Sequence, residues 1–169
     1  MIGALTQDQI DAFWAAGCLT LPGAVRPKKL AALRADLNHW IEESRHHDAA
    51  FGETLDHRPR FDVEPGHDAL HPALRRVASP TELSPAYLEA LRDSPMIEML
   101  AKLIGPNLRL HHSKVNSKLP GAATAVKWHQ DFTFDPHSND DVVTCLLFLD
   151  DVTLDNGPLM TAPGSHTGP

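Results

Sequence analysis

The sequence has no surplus of positive charge and no long apolar run, and each shortage excludes a class of protein. Its 169 residues include 22 acidic and 15 basic side chains, which gives a formal charge of −7. Nucleic-acid binding needs a concentrated basic surface, and none is visible. No run is long enough to span a bilayer, and residues 1–8 lack the charged start and apolar stretch of a secretory signal. We expect a cytoplasmic protein that binds neither nucleic acid nor membrane.

Cysteine is also scarce, since only Cys18 and Cys145 are present. Both stand inside apolar segments, which fits buried thiols in a reducing compartment, and a disulfide is not the expected state. Histidine is abundant by contrast, with eleven copies, and imidazole is the commonest metal ligand. A hydrophobic content of 42% is ordinary for a globular protein of about one domain.

The first part of the chain is mainly helical in pattern. Thr6-Gln7-Asp8-Gln9 has the form of a capping box, and apolar residues at three- and four-residue spacing predict a second helix from about Pro27 to His46. Ser84-Pro85 and Ser94-Pro95 each predict a helix start. Between the second and third helices, residues 47–80 show no period, and glycine and proline interrupt them. We expect a loop there, either solvated or covering a functional site.

The period changes to two in the last part of the chain, which predicts strands. These are expected over residues 108–119, Thr124–Gln130 and Asp140–Val152. A helical part followed by a strand-rich part indicates an α+β fold with a barrel or sandwich. We therefore expect a single domain over the whole chain, mainly helical in residues 1–106 and carrying the first barrel strands in residues 107–169.

His129 and Asp131 are the most informative residues, because they stand two apart in an expected strand. Side chains at that spacing leave the same face and can hold one ion. Imidazole and carboxylate are two of the three ligand groups of a 2-His-1-carboxylate iron(II) site. A hydrogen-bonded structural pair is the open alternative. A second His-x-Asp triplet ends with Asp48, but it falls at a helix end, where this spacing turns the side chains apart.

Several motifs occur in one order, and together they resemble a known family. They are Asn107, His111, Ser113, Asn116, Lys118, Trp128-His129-Gln130-Asp131, Asn156-Gly157-Pro158-Leu159-Met160 and Pro163-Gly164-Ser165-His166. This pattern resembles the phytanoyl-CoA dioxygenase family, which includes ectoine hydroxylase. The resemblance implies a double-stranded β-helix, a jelly-roll-like barrel of the cupin type, with the N-terminal helices packed outside it.

The resemblance also implies an activity, that of an Fe(II)/2-oxoglutarate-dependent dioxygenase. Such enzymes use dioxygen to hydroxylate a small organic substrate while 2-oxoglutarate becomes succinate and CO2. By position, His129 and Asp131 would be metal and catalytic residues, and Asp131 favours hydroxylation because related halogenases lack this carboxylate. Asn116, His112 and Gln130 would be cofactor-binding residues near 2-oxoglutarate, although His112 replaces a glutamine of ectoine hydroxylase.

The departure from the family lies in two missing residues. The distal histidine and the 2-oxoglutarate arginine follow the Gly-Ser-His loop in relatives, and neither occurs in this sequence. We expect the C-terminal part of the barrel to be missing and the 169-residue chain alone to be inactive. His166 resembles the loop histidine, for which structural support is expected. The alternatives are a non-catalytic binding module on the same fold, or a cupin-like protein that binds another divalent metal through His129, Asp131 and His166.

Overall fold

The protein is described by a computed structural model that covers residues 4–119, 126–134 and 136–168. Within these residues there are four α-helices and four β-strands. The helices are α1 (Gln7–Ala16), α2 (Pro27–Ser44), α3 (Pro85–Arg92) and α4 (Met96–Ile104). The strands are β1 (Phe51–Glu53), β2 (Pro59–Val63), β3 (Leu74–Ala78) and β4 (Lys114–Asn116). The strands form one antiparallel sheet in the order β1-β2-β3-β4, so the protein mixes helices with an antiparallel sheet.

The chain divides into two compact units. The first unit takes residues up to Arg26, from Asp93 to Leu108 and from Lys127 onwards, and it contains α1 and α4. The second unit takes Pro27–Arg92 and the residues from Arg109 to Val126, and it contains α2, α3 and the sheet. The expected single domain over the whole chain stays a prediction.

Helix α1 begins as its sequence predicts. The Thr6 hydroxyl accepts the Gln9 N–H at 3.3 Å, and the Gln9 side chain accepts the Thr6 N–H at 3.0 Å. This reciprocal capping box satisfies two donors that a helix start otherwise leaves unpaired. The helix ends at Gly17, whose φ of 76° lies in the left-handed region that glycine adopts without a Cβ penalty.

The core of the second unit forms where α2 packs on the sheet. Trp40, Leu74 and Val77 are buried there. The Trp40 ring centroid lies 5.2 Å from that of Tyr87 on α3, which extends the core to the third helix. Partly buried side chains around this cluster are Leu37, Ile41, Phe61, Val63, Tyr87 and Val115.

The loop expected over residues 47–80 is wrong, because three of the four strands lie in that range. The prolines border the strands and leave them intact: Pro59 is the first residue of β2, a position that needs no ladder donor. The polar residues that obscured the strand pattern in the sequence also stabilise the sheet. Asp62 on β2 faces Arg76 on β3, and their side chains form an ion pair at 3.1 Å.

The long strands expected in the last part of the chain are also mostly absent from the described residues. Only Lys114–Asn116 forms within residues 108–119, and residues 126–130 and 140–152 contain no strand. Residues 124 and 125 lie outside the described residues. β propensity measures fit to a pleated, half-buried surface, so an apolar run does not become a strand without a hydrogen-bonded neighbour. Accordingly, Leu146 and Phe148 are more than half exposed.

A buried arginine ties the sheet to the segment that follows β3. The Arg60 side chain is 6% exposed and forms an ion pair with Glu82 at 2.6 Å. It also donates to the backbone carbonyls of Glu53 at 2.9 Å, Ala78 at 3.3 Å and Ser79 at 3.0 Å. These bonds join β1 and β2 to the end of β3, so one side chain connects three strands.

Helix α3 begins with a capping serine, as its sequence predicts. The Ser84 hydroxyl accepts the Tyr87 N–H at 3.1 Å and donates to the Asp36 carboxylate. The Tyr87 hydroxyl donates to the Leu33 carbonyl at 3.2 Å. Burial, with a contribution from the negative charge of Asp36, raises the pKa of Tyr87 above its ordinary value of 10.0.

Tyr87 therefore makes stability fall at alkaline pH. Its pKa is raised in the folded chain, so from about pH 10 upwards the unfolded chain releases a proton that the folded chain retains. The stability present below that pH is lost progressively as the pH rises further. Because Tyr87 is the chain's one tyrosine, phenolate absorbance reports its titration directly. We expect the phenolate of folded Tyr87 to appear only above pH 10. Between pH 9 and pH 11, Tyr87→Phe should lose less stability than wild type. Phenolate formation in the folded protein at the ordinary pKa would contradict this.

No helix in the described part of the chain combines the length and the hydropathy needed to cross a membrane.

Candidate metal centre

The imidazole of His129 is oriented by the backbone carbonyl of Lys127. Its Nδ1 lies 2.7 Å from the Lys127 carbonyl oxygen, and a carbonyl can only accept, so Nδ1 carries the hydrogen. In the neutral ring the lone pair is then on Nε2. That atom lies 3.2 Å from Oδ1 of Asp131. A nitrogen lone pair and a carboxylate oxygen thus face each other.

One extended residue brings these two side chains together. Gln130 has φ −105° and ψ 134°, so His129 and Asp131 leave the chain on the same side. Asp131 then opens a 3₁₀ turn over Asp131–Thr133, which the Phe134 N–H closes by donating to the Asp131 carbonyl at 3.0 Å. The expected strand is not formed at residues 126–130, but the extended step at Gln130 is sufficient for the predicted convergence.

The arrangement fits a divalent metal ion. Two ligands at right angles, each about 2.1 Å from one metal, lie on the order of 3 Å apart, close to the observed Nε2–Oδ1 distance. Both side chains are accessible, with His129 36% and Asp131 55% exposed. The same distance also suits an ion pair with a protonated imidazole, and metal affinity distinguishes the two states.

The second oxygen of the carboxylate has its own partner. The Thr144 hydroxyl donates to Asp131 Oδ2 at 2.8 Å. No local pattern in the sequence indicates Thr144, because its contact with Asp131 spans 13 positions. The available signal was a hydroxyl within the otherwise apolar run Val142–Leu149, which contains only this threonine and Cys145 besides aliphatic and aromatic residues.

A third metal ligand is not found near the pair. Across residues 4–119, 126–134 and 136–168, no three His, Cys, Asp or Glu side chains are grouped so that they could hold a metal ion. Within the described residues, the candidate site therefore consists of the His129–Asp131 pair alone. The edge of the His129 ring meets Phe134, with the centroids 5.3 Å apart and the planes at 84°, which limits the movement of the imidazole.

Gln130 contacts the Gly-Ser-His loop. Its amide nitrogen donates to the carbonyl of Ser165 at 2.8 Å and to that of Gly168 at 3.3 Å. These bonds connect the chain between the two candidate ligands to the 3₁₀ turn over Ser165–Thr167. The contacts make Gln130 a support for the pair, and its role near 2-oxoglutarate stays a prediction.

His166 secures the same loop to the end of α1. Its Nε2 lies 2.9 Å from the Trp14 carbonyl oxygen, to which it donates. The Gly164 N–H donates to the Ala16 carbonyl at 2.8 Å. A Cβ on Gly17 would contact the His166 ring, 2.6 Å from Cγ. Because the ring packs on α1, structural support is its observed role, and it is not part of a metal-binding group in the described residues.

This packing predicts non-additive effects of substitution at Gly17 and His166. Gly17→Ala places a Cβ in a left-handed residue, at a cost of about 1–2 kcal/mol, and also against the imidazole. In a His166→Ala background only the backbone cost should remain. A double-mutant cycle by urea unfolding should therefore give a coupling energy above about 0.5 kcal/mol. Strictly additive effects would show that the ring does not pack on Gly17.

His112 and Asn116 belong to the second unit. The Nδ1 atoms of His111 and His112 lie 2.7 Å apart, and both residues line a cavity of about 360 Å³. The other residues that line it are Leu55, Asp56, Arg58, Ser79, Thr81, Glu82, Leu110 and Ser113. Asn116 ends β4 opposite Arg76. The roles of His112 and Asn116 as cofactor-binding residues stay predictions.

Comparison with known proteins identifies the family. The sequence profile of phytanoyl-CoA dioxygenase (PhyH) matches residues 13–169, which is nearly the whole chain and includes His129 and Asp131. The chain belongs to the phytanoyl-CoA dioxygenase family. The resemblance read from the ordered motifs is thereby confirmed.

Three curated relatives show which proteins the chain is similar to. A probable alpha-ketoglutarate-dependent hypophosphite dioxygenase of Stutzerimonas stutzeri is 43% identical over 56% of this chain and 33% of its own length. An L-proline trans-4-hydroxylase of Streptomyces griseoviridis is 32% identical over 69% of the chain and 44% of its own length. An ectoine dioxygenase of Bordetella bronchiseptica is 28% identical over 96% of the chain and 50% of its own length.

The chain spans half or less of the length of these curated relatives. No solved structure matches it significantly.

Proposed function

We propose that the protein is an Fe(II)/2-oxoglutarate-dependent oxygenase that hydroxylates a small substrate, with His129 and Asp131 as two of the iron ligands. The observation that carries the proposal is the 3.2 Å approach of His129 Nε2 to Asp131 Oδ1, with the ring N–H turned away to the Lys127 carbonyl. Family membership supports it, as does the naming of a relative as alpha-ketoglutarate-dependent.

Each residue of the pair contributes a separate property. The Lys127 carbonyl fixes the His129 tautomer that presents Nε2, as backbone carbonyls that accept the other ring N–H do for metal-bound histidines. Asp131 contributes negative charge and one oxygen. When bound, iron(II) and 2-oxoglutarate provide the oxidation chemistry: dioxygen places one atom in succinate and one in the hydroxylated product, and CO2 is released.

The cosubstrate contacts are proposed from position in the family pattern. The Asn116 amide and the His112 imidazole can both donate hydrogen bonds to a carboxylate, the group at each end of 2-oxoglutarate. Gln130 is proposed with them, acting through its amide oxygen or through the backbone that it supports. The proposal further requires a cationic partner for the cosubstrate. It also requires a second histidine ligand, which the described residues do not group with the pair.

The fold proposed for the active protein is a double-stranded β-helix with the N-terminal helices outside it. Family membership supports this barrel, and the exposed apolar residues of the last part of the chain suit strands that pack in a larger sheet. A location in the cytoplasm is part of the proposal. A non-catalytic binding module on the same fold is the second candidate, favoured by the two-ligand site in the described residues.

The substrate is proposed to be small and polar. The three relatives are named for hypophosphite, L-proline and ectoine, all compact and hydrophilic. The test is succinate release by the full product of the gene, with iron(II), 2-oxoglutarate and dioxygen, across these three compounds and an acyl-CoA thioester. Release that requires iron and one of the substrates is expected. Metal binding without succinate release from any compound would favour the binding module.

A further inference from the structure

We propose that Thr144 is a positioning residue of the metal site, which makes Asp131 a one-oxygen ligand. The inference rests on the proposed function, since it concerns how the same pair holds its ion. Its basis is the division of the carboxylate, in which Oδ1 lies 3.2 Å from His129 Nε2 and Oδ2 accepts the Thr144 hydroxyl at 2.8 Å.

This division matters because an aspartate carboxylate is symmetric. Rotation about its last side-chain bond is soft and exchanges the two oxygens, so a free Asp131 can present either oxygen or both to an ion. A hydroxyl donor on Oδ2 selects one orientation. It occupies a lone pair of Oδ2 and leaves Oδ1 directed at the imidazole nitrogen.

The number of oxygens on the metal sets the number of open positions. A carboxylate that binds through both oxygens takes two positions of a six-coordinate site, and one that binds through Oδ1 takes a single position. Sites of the 2-His-1-carboxylate type depend on positions that remain open. The Thr144 hydroxyl thus keeps one position available for cosubstrate or dioxygen.

Thr144 also restrains the chain. It lies 13 residues after Asp131, and the intervening segment contains the 3₁₀ turn Asp131–Thr133 and a bond between the Asn139 amide and Asp141 at 2.8 Å. Among the contacts described in this segment, the hydrogen bond from the Thr144 hydroxyl is the one that joins Asp131 directly to the apolar run Val142–Leu149. The orientation of the Asp131 carboxylate therefore depends on the position of the run Val142–Leu149.

The test compares Thr144→Val, which removes the hydroxyl at constant shape, with Thr144→Ser, which keeps it. Thr167→Val is the matched control, because that hydroxyl donates to the Gly164 carbonyl at 2.9 Å in the same unit and does not contact Asp131. Cobalt(II) affinity is measured anaerobically by calorimetry, and the visible spectrum of bound cobalt reports its coordination. Thermal unfolding without metal verifies that each variant folds.

We expect Thr144→Val to bind cobalt(II) about 10- to 100-fold more weakly than wild type, the usual loss when a metal ligand loses its hydrogen-bond partner. The visible spectrum of the bound cobalt should also change. Thr144→Ser and Thr167→Val should stay within about 3-fold and keep the wild-type spectrum. Unchanged affinity and spectrum in Thr144→Val, or an equal loss in Thr167→Val, would overturn the role of Thr144 while leaving the pair intact. All variants are made in the full gene product, and failure of its wild-type form to bind cobalt(II) would refute the metal site, and with it the proposed function.

Discussion

Replacement of Asp131 by alanine is expected to abolish metal-dependent turnover. The substitution removes Oδ1, which lies 3.2 Å from His129 Nε2, and leaves the imidazole as the only member of the pair. A lost outer-shell partner weakens metal binding by about 10- to 100-fold, so a lost ligand should cost more than about 100-fold in iron(II) affinity. Succinate release should fall to the background rate. His129→Ala should behave in the same way.

A matched control separates the lost ligand from the lost charge. Asp141→Ala also removes one carboxylate from an exposed position of the same unit, where it accepts the Asn139 amide. We expect its iron(II) affinity and succinate release to stay within about 3-fold of wild type. If Asp131→Ala retained turnover, or if Asp141→Ala lost it equally, the assignment of Asp131 as a ligand would be wrong.

The largest expected loss of stability is that of Arg60→Met. The side chain keeps its length and apolar stem, but Glu82 loses a buried partner and three backbone carbonyls lose their donor. A buried backbone carbonyl that loses its donor costs about 1–3 kcal/mol, and loss of the ion pair with the partly exposed Glu82 adds less than about 1 kcal/mol. Arg60→Lys should recover little of this, because one ammonium cannot direct donors to several separate acceptors. The free energy of unfolding in urea measures the effect.

Arg75→Met is the matched control for Arg60. Arg75 is 44% exposed and lies 3.4 Å from Asp62, so its ion pair is screened by solvent. Its replacement should cost less than about 1 kcal/mol. Equal losses of stability in the two variants would show that burial does not strengthen the contribution of the Arg60 contacts.

The helices were predictable because their signals are local. Thr6, Gln9 and Gly17 act within one turn of the helix that they begin or end, and Ser84 caps α3 in the same way. The sheet was not predictable by the same means. Strand β3 pairs with the distant β4, and the strands are held by polar residues such as Arg60 that resemble those of a loop.

The same distinction between local and long-range contacts applies to the candidate site. His129 and Asp131 converge through the single extended residue Gln130, so their spacing was enough to predict the pair. Thr144 and His166 act through contacts over 13 and 152 positions, and neither contact is contained in a local pattern. Structural support by His166 was expected from its loop setting, and the structure adds its acceptor on α1.

The most direct test of the metal pair is the proton NMR spectrum of the cobalt(II)-loaded full gene product. If His129 binds through Nε2, its Nδ1 hydrogen remains on the ring, bonded to the Lys127 carbonyl, and a strongly shifted, exchangeable imidazole resonance is expected. That resonance should vanish in His129→Ala and remain in Asp141→Ala. A cobalt(II) complex whose shifted imidazole signals are all unchanged in His129→Ala would contradict the account.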